Sequence, residues 1–124
     1  MEAIHTNNAP AAIGPYSQAI EVNGFIFASG QIPIDPKTGK FIEGGIKEQT
    51  KQALTNAGNI LKEAGTDLSH VVKTTVYLDN MDNFTAMNEV YAEFFTKPFP
   101  ARSAVAVKKL PMGALVEVEV LASK

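Results

Sequence analysis

Within residues 115–121, Leu-Val-Glu-Val-Glu-Val-Leu, the stretch Val116–Val120 alternates apolar and acidic side chains with a period of two. An extended strand sorts such a pattern, because successive side chains on a strand point to opposite faces. Val116, Val118 and Val120 then pack one face. Glu117 and Glu119 share the other, roughly 7 Å apart at the usual rise per residue. The chain must therefore build a sheet with one apolar and one charged face, and something must cover the apolar one.

A second stretch answers this strand. Phe99-Pro100-Ala101-Arg102-Ser103-Ala104 sets an arginine just behind a proline corner, at the mouth of an apolar run. Arg102 is read as holding an anion, and Glu117 as handling water or a proton. The plainer alternative is a surface arginine and two solvated carboxylates, since most surface charges carry no chemistry.

The remaining elements follow in order. Asn8 to Tyr16 holds two prolines and a glycine and reads as a loop. Tyr16 leads a strand over Ser17–Val22, and Phe25–Ser29 returns after Asn23-Gly24, the strongest short hairpin signal there is. That turn pairs Val22 with Phe25, Ile20 with Phe27, and Gln18 with Ser29. Gly30 either admits a close neighbour or ends the strand before Pro33. Residues 35–40 are turn chemistry. Apolar residues at helical spacing predict a helix over about Ile46–Ala64, stopped by Gly65. A strand over Val71–Leu78 puts Val72, Thr74, Val76 and Leu78 on one face, and Lys73, Thr75 and Tyr77 on the other beside Val71. A second helix, from Met81 or Asp82 to Thr96, carries a packed stripe of Phe84, Met87, Asn88, Tyr91, Phe94 and Phe95. Asn88 in that stripe needs partners, and a bond to neighbouring backbone is the simplest. Strands over Arg102–Val107 and Leu115–Leu121 close the chain.

The fold class is α+β, one mixed sheet with two helices on one face, in a single domain spanning 1–124. Two helices cannot cover both faces, so a symmetric oligomer is expected to bury much of the second. Cysteine is absent, which excludes disulfides and thiolate chemistry. His5 and His70 are too few and too far apart in sequence to suggest a metal site. No secretory signal or membrane-length apolar run is seen, so a soluble cytoplasmic protein is expected, with no membrane partner. The net charge of −2 and scattered basic residues argue against nucleic acid as the main partner.

Five segments in order resemble the RidA/YjgF family of imine deaminases. They are Ala11-Ala12-Ile13-Gly14-Pro15-Tyr16-Ser17, Ser29-Gly30-Gln31-Ile32-Pro33, Val72-Lys73-Thr74-Thr75-Val76, Asn88-Glu89-Val90-Tyr91 and Phe99-Pro100-Ala101-Arg102-Ser103. The resemblance runs nearly end to end. It implies a chorismate-mutase-like fold and a homotrimer with a central barrel and clefts between subunits. It also implies hydrolysis of 2-aminoacrylate and its imine tautomer, and of related imines such as 2-iminobutanoate, to 2-keto acids and ammonia. No cofactor or metal is implied. Carried over residue by residue, the carboxylate anchor falls on Arg102, the residue for water on Glu117, and the tyrosine after Gly-Pro on Tyr16. The Ser-Gly pair falls on Ser29 and Gly30, and the helix asparagine on Asn88. Many relatives have cysteine where this chain has Ala104, so a thiol-dependent step is excluded while the backbone there remains a donor.

Such a hydrolysis needs a guanidinium to orient the substrate carboxylate and a group to deliver water. Tyr16 and the backbone at Gly30 and Ala104 would complete the pocket. Glu119 is open to a direct role or to an ion pair between subunits. Two alternatives stand beside the deaminase: a non-catalytic, metabolite-binding or regulatory trimer using the same cleft, and a ribonuclease, against which the acidic balance argues.

Overall fold

The computed structural model describes all residues, 1–124. Asn23 and Gly24 both take positive φ, 52° and 78°, the conformation a two-residue hairpin turn demands. They join β2 (Ala19–Val22) to β3 (Phe25–Ala28), with Val22 opposite Phe25 and Ile20 opposite Phe27. The pairing continues past the strand ends, where Ser29 N donates to Gln18 O at 2.9 Å. Ahead of them, β1 (Glu2–Ile4) pairs antiparallel with β2, a short strand with no sequence signal of its own. The β2 strand begins at Ala19, so Tyr16 and Ser17 lie in the preceding loop and do not lead a strand as the sequence suggested.

Across the turn at residues 35–40, β4 (Ile34–Asp35) and β5 (Lys40–Phe41) form a two-residue ladder. Gly45 caps α1 (Ile46–Glu63), its N–H donating to Glu48 Oε1 at 2.8 Å. The helix buries Ala53, Leu54, Ala57, Ile60 and Leu61 completely. Each large side chain so removed from water is worth about 1.5–3 kcal/mol. Gly65, at φ 88°, stops it in the left-handed region.

A strand, β6 (Val71–Leu78), follows, then α2 (Phe84–Phe94), β7 (Ala101–Ala106) and β8 (Val116–Ser123). A single turn over Met81–Asn83, capped by Asn80, precedes α2. That turn delays the helix start, and extended backbone at Phe95 ends it before Thr96. The main sheet runs β1-β2-β3-β8-β6-β7, all antiparallel except β6 with β7, and both helices lie on one face.

A register shift between Val71 and Lys73 corrects the reading of β6. Val71 is buried at 7% exposure and Val72 stands out at 43%, the reverse of simple alternation. Beyond the bulge, register defines both faces. On the helix face, Val120, Thr74 and Arg102 form one row, and Val118, Val76 and Ala104 the next. On the other face, Glu119, Thr75 and Ser103 make one row, and Glu117, Tyr77 and Val105 the next. This second face is uncovered, with Phe25, Phe27 and Val105 each 42–48% exposed. No helix is long and apolar enough to cross a membrane.

Candidate active site

β7 is the edge of the sheet, and Arg102 rises from it toward α2. There, residues 84, 88 and 91 stack on one helix face at spacings of four and three. They form a seat for the guanidinium. Arg102 Nη1 donates to Asn88 Oδ1 at 2.5 Å, while Cζ lies 4.8 Å from the Tyr91 ring centre and 5.4 Å from that of Phe84. A cleft of about 400 Å³ opens beside it, lined by Asn88, Tyr91, Ala92, Phe99, Pro100 and Arg102. Asn88 therefore has a side-chain partner, not the neighbouring backbone expected from its place in an apolar stripe. Tyr91 and Phe84 were legible only as packing residues. The signal for their second role was a polar amide set between two aromatics at helical spacing.

The chain's ion pairs are Lys47–Glu89 and Lys124–Glu21, and His70 Nδ1 lies 3.3 Å from Asp67 Oδ1. Arg102 is in none of them. Its charge is held by an amide and two aromatic faces, which orient it without neutralising it. Ala104 follows on the same side of β7. Val107 N donates to Leu78 O at 2.8 Å, so alternation turns the N–H groups of Ala106, Ala104 and Arg102 away from β6, toward the free edge. An alanine here leaves a backbone donor at that edge.

Glu117 is built differently. Gln31 exchanges backbone bonds with Val118, at 2.8 and 3.0 Å, which draws Ser29-Gly30 alongside β8. A Cβ on Gly30 would collide with the Glu117 carboxylate, so the close-approach reading of this glycine holds. Burial, and next the Glu119 charge, push the Glu117 carboxyl above its ordinary value of 4.5. Ser29 Oγ donates to Ser17 O at 2.6 Å, so its hydroxyl pins the loop that carries Tyr16. Tyr16 itself is 54% exposed, its N–H bonded to Gly14 O at 2.9 Å.

The sequence-derived residues thus fall into two groups. Arg102, Asn88 and Ala104 lie at the helix-face edge. Glu117, Gly30 and Ser29 lie together, with the Glu117 side chain on the uncovered face. Tyr16 stands in the loop that Ser29 holds, more than half exposed.

Residues 6–124 match the family model described as endoribonuclease L-PSP. A RutC family protein of Pyrococcus horikoshii is 55% identical over 123 residues, covering 99% of this chain and 98% of its own. The 2-iminobutanoate/2-iminopropanoate deaminase of Capra hircus is 52% identical over 119 residues, 96% of this chain and 87% of its own. A solved structure from Yersinia pestis, described as YyfA of the conserved Rid protein family, superposes with a TM-score of 0.96 at 52% identity, covering 99% of this chain and 98% of that one.

Proposed function

The chain belongs to the endoribonuclease L-PSP family, the RidA/YjgF family, and from that premise we propose that it hydrolyses small imines and enamines to 2-keto acids and ammonia. The substrates are 2-aminoacrylate with its tautomer 2-iminopropanoate, and 2-iminobutanoate. The enzyme works in the cytoplasm as a homotrimer, with each site built between two subunits.

The observation that carries this reading is the unneutralised guanidinium of Arg102 at the mouth of a cleft. Two parallel hydrogen bonds from a guanidinium fix the plane of a carboxylate and hence of the C=N group joined to it. The imine carbon is already electrophilic. Glu117 of the neighbouring subunit takes a proton from water as the water oxygen bonds to that carbon. Starting from the protonated imine this gives a neutral carbinolamine; its nitrogen takes the proton back from Glu117, and as the C–N bond breaks the hydroxyl proton passes to Glu117, so that ammonia leaves and the keto group forms. The raised affinity of Glu117 for protons suits a group that must both take and return one. The N–H of Ala104 and the Tyr16 hydroxyl complete the polar wall.

The test is deamination of 2-aminoacrylate generated in situ by a serine dehydratase. Acceleration by the native protein that is lost in Arg102→Ala is the expected result. A folded trimer that binds a 2-keto acid yet gives no acceleration would replace this reading with a metabolite-binding one.

A further inference from the structure

The seat of Arg102 has an anchor of its own. Thr74 and Arg102 are register partners on adjacent strands and rise side by side toward the helices. Tyr91 reaches down from α2 to both. Its hydroxyl shares a hydrogen bond with Thr74 Oγ1 at 2.8 Å, and its ring lies 4.8 Å from Arg102 Cζ. Thr74 is 0% and Tyr91 6% exposed, so little water competes for that bond. The Phe95 ring, 4.6 Å from that of Tyr91 and tilted 37° to it, adds a second wall.

A guanidinium grips a carboxylate through two parallel bonds only when its plane is set in advance. Asn88 fixes one end of that plane. The Tyr91 ring fixes its tilt, provided the ring itself cannot swing. We propose that the Thr74–Tyr91 hydrogen bond is a positioning device for the Arg102 guanidinium. Tyr91 thereby governs how tightly the site holds a carboxylate, acting through Arg102. The proposal rests on the reading of Arg102 as the carboxylate anchor.

The decisive material is a double variant. Thr74→Val or Tyr91→Phe alone strands one buried hydroxyl and costs stability. Replacing both partners with apolar groups of the same shape restores much of it. KM and kcat for 2-aminoacrylate, and the Kd of pyruvate by calorimetry, are measured for native protein, both single variants, the double variant and Arg102→Ala. A positioning role raises KM and Kd about three- to tenfold in the double variant, with kcat unchanged, although its melting temperature recovers. A purely structural bond gives a recovered melting temperature with native KM and Kd, which overturns the proposal. Native KM and Kd in Arg102→Ala would instead overturn the anchor reading beneath it. If a single variant fails to fold, the double variant still decides.

Discussion

Arg102 and Glu117 point to opposite faces of the same sheet, on strands separated by β6. Within one chain the sheet itself lies between them. A site that uses both takes one from each of two copies, and the uncovered face that bears Phe27 and Val105 is the surface a copy would cover.

Arg102→Ala and Glu117→Gln chains, each strongly impaired alone at substrate concentrations well below KM, are expected to restore activity at those concentrations when assembled together. In a threefold ring, about three in four random trimers are mixed, and each mixed ring regains one of its three sites, giving about one quarter of native activity. Co-expression followed by the 2-aminoacrylate assay checks this. No recovery in trimers shown by mass spectrometry to be mixed would put the site within one chain.

Arg102→Ala removes a charge-assisted contact worth about 1.5–3 kcal/mol, so apparent affinity for the imine should fall about ten- to 150-fold. Turnover at saturation should change far less. Steady-state kinetics separates the two, and a kcat loss with native KM would reassign the residue.

Glu117→Gln should lower kcat by about 10²–10⁴, the usual worth of general acid–base help. The native acid limb should have its midpoint above 4.5, because burial and the Glu119 charge raise the Glu117 carboxyl. Stability follows the same shift. The folded chain binds this proton more tightly than the unfolded one, so the contribution is present at low pH and is lost as pH rises through the raised value. Native protein should therefore lose ground to Glu117→Gln in urea midpoint as pH rises from the ordinary value of 4.5 through the raised one. An unchanged difference across that range would contradict the shift.

Gly30→Ala is expected to keep the fold and lose the rate. The new Cβ collides with the far end of Glu117, a flexible side chain that can move aside at small cost in stability. Moving aside takes the carboxylate off its position. A native melting temperature with kcat lowered at least tenfold is the expected pair of results. Native kcat would show that Glu117 need not sit against Gly30.

Much of this was legible in order along the chain. The alternation of 116–120, the Asn23-Gly24 turn and the apolar spacing of α1 each specify local geometry through side-chain period alone, and each stands where expected. The register of one strand against another was harder to read. The relation between Arg102 and Glu117 depends on how β7 and β8 each align with β6, and no period within either strand records that. The seat of Arg102 was hidden for a related reason. Phe84 and Tyr91 satisfy the pattern of a packed helix face whether or not a cation lies against them.

The bulge at Val72 makes β6 a strand with one spare link. Val71 and Thr74 both face the core although three positions separate them, because Val72 drops out of the alternation. Deleting Val72 leaves Val71, Lys73 and Thr74 in plain alternation, each still on its own face. At this bulge β6 can give up one residue without turning the wall behind Arg102 inside out.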